Sequence, residues 1–309
     1  MTKLISIVSP CYNEEANIEE LVARVRKVMT GLPYRYEHIV IDNCSTDSTV
    51  AKLRAMAAED RNLKVIINSR NFGHIRSPHH AILQSSGDAC IWIASDLQDP
   101  PEMIAEFVAK WEQGYKLVMA VKPVSRESKL TFAMRRAYYR FLSQISEIEL
   151  VPNATGSGLY DRQLIQLLQK VDDPYPYFRG LIREFGFEAA TVNFEQPRRM
   201  RGVSKNNLYT LYDIAMLGIV KHSKVPLRIM TIGGFVLSAL CIVVTVLLVV
   251  AKLMFWNHFS VGIIPILISI FFFAAIQMIM IGFLGEYIAQ IYVHLRKLPL
   301  VVEAERINF

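Results

Sequence analysis

The chain has 309 residues, enough for one large core or two domains, and a formal net charge of +6. A basic balance suits an anionic membrane surface or a phosphate-bearing substrate, and nucleic acid is disfavoured because the basic residues concentrate near long apolar segments. The cysteines show no paired spacing, which argues against a disulfide framework and a zinc site; they are Cys11, Cys44, Cys90 and Cys241.

The chain up to Val121 alternates between apolar runs of strand length and segments with helical spacing. The predicted strands are Leu4–Ser9, Glu37–Asp42, Lys64–Asn68, Ala89–Ala94 and Leu117–Val121. The predicted helices are Ala16–Met29, Ser48–Ala58 and Ser77–Ser85. Strict alternation predicts an α/β fold whose parallel sheet is covered on both faces.

Polar residues follow each of the first four predicted strands. They are Asn13 and Glu14, Asp42 and Asn43, Arg70 and Asn71, and Asp96. Because the carboxyl ends of parallel strands meet at one sheet edge, these residues predict a nucleotide-sized crevice. The chain has neither Gly-x-Gly-x-x-Gly nor a Gly-Lys-Ser/Thr loop, which excludes a dinucleotide dehydrogenase and a P-loop enzyme. A phosphate bound here therefore needs a metal ion or arginines.

The stretch from Ile91 to Glu102 connects the fourth strand to a helix. Asp99 is predicted as the helix N-cap, with Glu102 at the third position. Asp96 lies before the cap, where a carboxylate can hold a divalent cation against a diphosphate. The alternative is that both aspartates are turn and cap residues without chemistry.

The middle of the chain carries a predicted helix at 130–147 with one apolar face. Its other face carries Arg135, Arg136 and Arg140, so the helix is predicted either to lie in a lipid interface or to pack on the sheet with a solvated charged side. Asn153–Arg162 is predicted to be a glycine-rich loop before a further helix. Pro174–Gly180, rich in aromatic residues and proline, is predicted to be a loop that packs or closes over a pocket.

A cluster of cations precedes the apolar C-terminal segments. Arg198, Arg199, Arg201 and Lys205 surround Gly202 and Ser204. The cluster is either a lipid-phosphate site at the membrane boundary or a plain positively charged flank, although a flank needs neither the glycine nor the serine. An amphipathic juxtamembrane helix at 206–228 follows.

Two uncharged stretches, Ile229–Ala251 and Val261–Gly285, are long enough to cross a bilayer. The short turn between them puts both flanks on one side of the membrane. The excess of Lys and Arg in those flanks predicts that the large domain and both termini are cytoplasmic, with residues 286–309 as a tail. Small residues such as Gly233, Gly234 and Ser238 favour association of the hairpin into a homo-oligomer.

Six ordered motifs, followed by two spans, resemble a known family over essentially the whole chain. They are Pro10-x-Tyr12-Asn13-Glu14, Ile41-Asp42, Arg70-Asn71-Phe72-Gly73, Gly87-Asp88-Ala89, Asp96-Leu97-Gln98-Asp99-Pro100-Pro101-Glu102 and Arg198-x-x-Arg201-Gly202-x-Ser204-Lys205. The chain resembles the family-2 glycosyltransferases that charge polyisoprenyl phosphates, the dolichol-phosphate mannose synthase and bactoprenol glucosyltransferase group.

The resemblance implies a GT-A fold in residues 1–205. It also implies transfer of one sugar, with inversion, from a nucleotide diphosphate sugar to undecaprenyl phosphate in the cell membrane. The bacterial-type likeness favours UDP over GDP, and UDP-glucose or another UDP-hexose as donor.

The implied site residues follow from the same motif positions. Pro10, Tyr12, Glu14 and Asp42 would hold the nucleoside, with Arg70, Asn71 and Gln98 completing the donor site. Asp96 would hold Mg²⁺ or Mn²⁺ on the diphosphate, while Arg201 and Lys205 would bind phosphates. Arg135, Arg136, Arg140, Arg198 and Ser204 would meet the lipid phosphate.

Two positions depart from the family pattern. Ala94 replaces the first aspartate of Asp-x-Asp, and Thr155–Gly158 lacks the aspartate that serves as catalytic base in many relatives. A phosphate acceptor is already anionic at neutral pH, so the step depends mainly on positioning and charge neutralisation. If a base exists, Glu184 is the candidate.

Two alternatives remain beside the monosaccharide transferase. A processive polysaccharide synthase is disfavoured because Gln196–Met200 lacks a tryptophan to stack on a sugar chain and because two spans are few for a channel. A degenerate transferase that only binds nucleotide or lipid as a scaffold is favoured by Ala94.

Overall fold

The computed structural model describes residues 2–122, 151, 153–195, 216–217, 219–221, 223–254 and 263–309. The strands are β1 Leu4–Cys11, β2 Arg35–Asp42, β3 Leu63–Asn68, β4 Ala89–Trp92, β5 Leu117–Val121, β6 Ala154–Asp161, β7 Ala189–Asn193 and β8 Glu303–Ile307. The helices are α1 Ile18–Thr30, α2 Thr49–Glu59, α3 Gly73–Leu83, α4 Met103–Glu112, α5 Arg162–Leu168, α6 Phe178–Glu184, α7 Val225–Met254 and α8 Ile263–Leu295. All five predicted strands and the three helices between them are present, with shifted ends.

The eight strands form one mixed, mostly parallel sheet in the order β7-β5-β6-β4-β1-β2-β3-β8. The neighbours β4, β1, β2 and β3 run parallel, while β6 and β8 are antiparallel to the strands beside them. The chain builds β1, β2 and β3 outwards and then crosses to place β4 on the other side of β1. The predicted α/β class and mostly parallel sheet are confirmed.

Helices cover both faces of the sheet because its central strands are apolar on both sides. One cluster of buried side chains joins α1, α2 and α4 to the sheet through Leu21, Leu53 and Phe107, and the other joins α3, α5 and α6 through residues such as Ile82 and Leu164. At about 25 cal/mol per Å² of buried apolar surface, these two layers are the main source of stability.

The prediction of a glycine-rich loop at Asn153–Arg162 is wrong, because most of this segment forms the strand β6. This strand lies between β4 and β5, where Trp92 pairs with Gly158 and Ile91 pairs with Leu159. A Cβ at Gly158 would lie 2.2 Å from the carbonyl oxygen of Val118. The glycine therefore permits close approach of β5 and is compatible with a strand.

The helices α7 and α8 form the apolar hairpin and are longer than the predicted spans. Within the described residues, Val225–Val244 and Phe272–Leu295 are long and apolar enough to cross a membrane, and neither is buried inside the protein. The two helices are tied together at one end, where the Tyr287 hydroxyl of α8 donates at 2.8 Å to the carbonyl of Ser223, just before α7. Their length and composition indicate membrane association.

The C-terminal segment returns to the sheet as β8, an element that the sequence patterns did not predict. It pairs antiparallel with β3, and the Ser69 N–H donates to the Val302 carbonyl at 2.9 Å. Its side chains bind neighbouring helices: Glu303 contacts His80 of α3 and Glu305 pairs with Arg54 of α2. The strand therefore covers the edge of β3 that would otherwise be open.

Candidate active site

The candidate site lies at the carboxyl ends of β1, β2, β3 and β4. Pro10 pairs with Ile41 and Cys11 with Asp42 at the end of the β1 and β2 register, and β4 lies on the other side of β1. The crossing of the chain from β3 to β4 makes this edge a topological switch point, where open α/β sheets bind ligands. The predicted convergence of the four strand ends is therefore observed.

Asn43 organises the loops on the β2 and β3 side of the crevice. Its side-chain oxygen accepts hydrogen bonds from the Asn68 amide at 3.1 Å and from the Phe72 N–H at 2.8 Å. Its amide nitrogen donates to the Asn71 side-chain oxygen at 2.9 Å. The loop after β2 is thus joined to the end of β3 and to the loop after it by one buried neutral side chain.

The residues predicted to hold the nucleoside form a second part of this network. The fully buried Asp42 carboxylate accepts from the Ser45 N–H at 2.8 Å and from the Cys11 thiol, whose pKa is raised by burial. The Glu14 carboxylate accepts from the Asn17 amide at 2.7 Å, and the Glu14 N–H donates to the Thr49 hydroxyl. These contacts shape the turn after β1 and keep both carboxylates in fixed positions.

Two further predicted donor residues lie at the open rim of the crevice. Tyr12 is half-buried beside the end of β1, and Arg70 is exposed beyond β3. The Arg70 guanidinium carbon lies 4.0 Å from the ring centroid of Phe72, a stacked cation–π arrangement. Tyr12 and Arg70 therefore border the crevice from the ends of β1 and β3, on either side of β2.

The Asp96 loop begins directly after β4 and is tied to β1. The Ser95 hydroxyl donates to the Pro10 carbonyl at 2.7 Å, and the Gln98 N–H donates to a carboxylate oxygen of Asp96 at 3.1 Å. Leu97 adopts φ 57°, a conformation that side-chain-bearing residues seldom take. The half-buried Asp96 is thereby held beside the ends of β1 and β4.

Asp99 is not the predicted helix cap. The first N–H groups of α4, at Met103 and Ile104, donate to the proline carbonyls of residues 100 and 101. Asp99 is instead buried, and its carboxylate accepts a hydrogen bond from the hydroxyl of Ser157, a residue of β6. A side-chain cap is unnecessary because the carbonyls of the two prolines accept hydrogen bonds from these first N–H groups of the helix.

The surroundings of Asp99 shift the pKa of its carboxyl group strongly. Burial raises its pKa to about 6, the hydrogen bond from Ser157 opposes that rise, and the neighbouring Asp96 charge adds to it. The positive charge of Arg179 lowers the pKa. Asp99 and Ser157 therefore form a buried polar pair beside Asp96. Ser157 belongs to Thr155–Gly158, the segment that lacks the aspartate of many relatives.

Arg179, in the first turn of α6, was missed by the sequence analysis. Its guanidinium donates to the Thr155 carbonyl at 2.7 Å, and a Cβ at Gly156 would lie 3.4 Å from both Arg179 and Trp92. Gly156 has φ 101°, so it serves both the turn and the close approach of the guanidinium. The signal was the arginine inside the aromatic stretch Pro174–Gly180, which was interpreted only as a loop.

The remaining predicted residues divide into two groups. Glu184 lies exposed at the carboxyl end of α6, opposite to the end that carries Arg179. The predicted interfacial helix at 130–147 and the cation cluster lie outside the described residues; their named members are Arg135, Arg136, Arg140, Arg198, Arg201, Ser204 and Lys205.

The side chains at the site suit a metal ion that takes some of its ligands from a bound molecule. Among the residues that the structure describes, no three His, Cys, Asp or Glu side chains cluster as a self-sufficient metal site. Asp96 offers one half-buried carboxylate at the strand end, and Mg²⁺ is commonly held by one or two carboxylates together with substrate phosphates. Asp96 would hold such an ion, and a phosphate-bearing ligand would supply further oxygen ligands.

Comparison with known proteins identifies the class. Residues 6–185 match the family model described as glycosyl transferase family 2, more than half of the chain. The chain therefore belongs to glycosyltransferase family 2, and its α/β sheet is GT-A-like.

Relatives of similar length extend the match into the hairpin. An uncharacterized glycosyltransferase of Synechocystis is 31% identical over 99% of this chain and 96% of its own length. A prophage-derived bactoprenol glucosyl transferase of Shigella flexneri is 30% identical over 96% of both chains. The protein is thus a glycosyltransferase related to bactoprenol glucosyl transferases.

Among solved structures, glucosyl-3-phosphoglycerate synthase from Mycobacterium tuberculosis in complex with Mn²⁺, UDP and phosphoglyceric acid superposes with a TM-score of 0.46. That similarity covers 71% of this chain and 76% of the other, at 21% sequence identity.

Proposed function

We propose that the protein transfers one hexose from a UDP-sugar, such as UDP-glucose, to a polyisoprenyl phosphate at the cytoplasmic face of the membrane, with inversion. The observation that carries the proposal is the gathering of Asp96, the Asp99–Ser157 pair and Arg179 around the end of β4, in a chain that also has an apolar hairpin. The similarity to bactoprenol glucosyl transferases supports a lipid-linked acceptor.

In this reaction an acceptor phosphate oxygen attacks the anomeric carbon, and the bond from that carbon to the UDP oxygen breaks with its electron pair leaving on the diphosphate. Asp96 would hold Mg²⁺ or Mn²⁺ against the diphosphate, and such an ion supplies neutralisation of the developing negative charge. Arg179 would add a positive charge from the protein itself, close to the loop at Thr155. Arg201 and Lys205 remain predicted phosphate ligands.

The acceptor phosphate does not require deprotonation by a base near neutral pH, because its second pKa is close to 6. Glu184 remains the predicted base, should one operate. We expect Glu184→Gln to lower turnover if that role is real, and unchanged turnover would remove the residue from the mechanism.

The orientation of the hairpin is supported by β8. Leu295 ends α8 and Glu303 begins β8, a separation that extended chain can span over about 26 Å at ~3.3 Å per residue. The end of α8 therefore belongs on the same side as the catalytic sheet. The flanking charges of Lys224, Arg228, Arg296 and Lys297 favour the cytoplasm for that side.

The test is transfer of radiolabelled sugar from a panel of UDP-sugars and GDP-sugars to undecaprenyl phosphate, with Mn²⁺, Mg²⁺ or a chelator. Wild type is compared with Asp96→Ala and with Asp172→Ala, a control that removes an exposed carboxylate elsewhere. We expect a lipid-soluble product that requires metal and Asp96 but not Asp172, and analysis of its anomeric configuration tests inversion.

A nucleotide- or lipid-binding scaffold is the second candidate, and Ala94 in the metal motif favours it. Measurable UDP binding without product from any donor would replace the transferase proposal with this one.

A further inference from the structure

Lys221 lies just before the first membrane helix, where its charge would ordinarily be attributed to a positive membrane flank. Its ammonium donates to both carboxylate oxygens of Asp173 and, at 2.6 Å, to the carbonyl of Tyr175. The side chains of Lys221 and Asp173 are only 19% and 16% exposed. All three ammonium donors are thus used by one loop of the catalytic domain, which distinguishes this contact from a solvated charge.

The loop held by Lys221 leads directly to the candidate active site. Asp173 also accepts the Tyr175 N–H at 3.0 Å, which fixes the turn. The chain then enters α6, where the Phe178 ring packs edge-on against Tyr160 of β6 at 5.0 Å. Arg179 follows and binds the Thr155 carbonyl next to the Asp99–Ser157 pair.

The segment that carries Lys221 is also fixed on its membrane side. Ser223 is buried; its carbonyl accepts from the Tyr287 hydroxyl of α8, and its hydroxyl accepts from the Val225 N–H at 3.1 Å. A cavity of about 310 Å³ lies between the loop and α8, lined in part by Tyr287, Gln290 and His294. Among the described residues, the Lys221–Asp173 contact therefore borders this cavity at the junction between the loop and α8.

We infer that Lys221 and Asp173 are a positioning pair that holds the membrane hairpin in a fixed relation to Arg179 and the loop at Thr155. As it concerns a lipid acceptor, the inference rests on the proposed function. Transfer between two reactants is steeply sensitive to small displacements, and the acceptor is held by the membrane while the donor is held by the sheet. Loss of the pair should therefore slow transfer without weakening nucleotide binding, since the Asn43 network does not contact it.

The test compares Lys221→Met with Lys224→Met, which removes an exposed flanking charge close by in the chain. A third variant exchanges the charges, Lys221→Asp with Asp173→Lys. We expect Lys221→Met to lower the transfer rate to undecaprenyl phosphate in vesicles by about tenfold or more. UDP affinity should stay within about twofold, Lys224→Met should resemble wild type, and the exchanged pair should recover part of the rate.

Hydrogen–deuterium exchange supplies a readout that needs no acceptor. Lys221→Met should speed exchange in residues 173–184 and leave residues 35–68 at the wild-type rate. Equal behaviour of Lys221→Met and Lys224→Met, or faster exchange throughout the domain, would overturn the inference. If wild type itself transfers no sugar to any lipid, the proposed function fails, and the exchange pattern alone decides whether the pair couples the two parts.

Discussion

The two sides of the crevice are built from different chemistry. On the β2 and β3 side, loops are joined by a neutral amide, Asn43, whose oxygen and nitrogen are both hydrogen-bonded. On the β4 and β6 side, the groups are ionisable: the buried Asp99 lies beside the half-buried Asp96, and Arg179 packs against Gly156. The Asn43 amide is satisfied within the protein, as is the buried Asp42 carboxylate at the end of β2 through Ser45 and Cys11, whereas the β4 and β6 side carries charges that a bound diphosphate would meet.

This difference indicates separate tasks for the two sides. A neutral, fully bonded network costs little electrostatic energy to bury and keeps a binding surface preformed. Buried charges are costly unless they compensate one another or a ligand, and they cluster where charge develops during a reaction. We therefore expect substitution of Asn43 to affect mainly stability, and substitutions at Asp96 and Arg179 to affect mainly chemistry.

The largest expected effect is at Arg179. Arg179→Met should lower kcat/KM for sugar transfer by about a hundredfold or more, as expected when a charge-stabilising donor is removed. Arg179→Lys should retain only part of the wild-type kcat/KM, because a lysine lacks the planar guanidinium that reaches the Thr155 carbonyl.

The matched control is Arg183→Met in the same helix, where the native side chain donates to the Phe187 carbonyl at 3.0 Å. Steady-state kinetics with a lipid acceptor and thermal melting of all three variants separate chemistry from folding. Equal kinetic losses at positions 179 and 183 would contradict a specific role of Arg179 in charge stabilisation.

The next effect concerns Asn43 and tests whether the neutral side is mainly structural. Asn43→Ala removes the acceptor of the Phe72 N–H and one of the two acceptors of the Asn68 amide, which should lower the free energy of unfolding by about 3 kcal/mol. Asn193→Ala, at an exposed position of β7, should change it by less than about 0.5 kcal/mol. Urea denaturation measures both, and similar values for the two variants would show that the network is energetically unimportant.

The last expected effect is limited to part of the pH range and concerns the contribution of Asp99 to stability. Its pKa is about 6 in the folded protein against an ordinary value of 3.8, so the folded state holds the proton more tightly and stability falls as pH rises between these values. Asp99→Asn removes this cost and can still accept the Ser157 hydrogen bond. We expect the variant to gain about 3 kcal/mol over wild type above pH 7 and less than about 1 kcal/mol near pH 4.

Melting temperatures of wild type and Asp99→Asn across pH 4 to 8 check this prediction. A constant difference at every pH would show that Asp99 does not titrate in that window.

Much of the sheet was predictable because strands and the polar residues after them are indicated by residues close together in the sequence. An apolar run such as Ile39–Ile41 favours a strand wherever it lies, and the polar residues that follow parallel strands must meet at one edge. Asp96 could be singled out for the same reason. The two spans were likewise recognisable from composition, although their ends extend further in α7 and α8.

The parts that sequence patterns did not predict all depend on contacts between distant segments. Gly156 and Gly158 suggested a loop, yet pairing with β4 and β5 makes that stretch a strand, since only the approach of Val118 explains the second glycine. Asp99 has the local pattern of a cap and becomes a buried carboxyl because Ser157 reaches it from β6.

The same distinction applies to the junction with the membrane. By its sequence context Lys221 resembles a flanking charge, yet its partner Asp173 lies far away in the chain. The segment of β8 likewise resembles a tail, yet it pairs with the distant strand β3. Local periodicity and composition determine which segments are apolar enough to form strands, helices and spans. Which polar group meets which is decided only when the folded sheet brings those segments together, because hydrogen bonds and ion pairs act over a few ångströms.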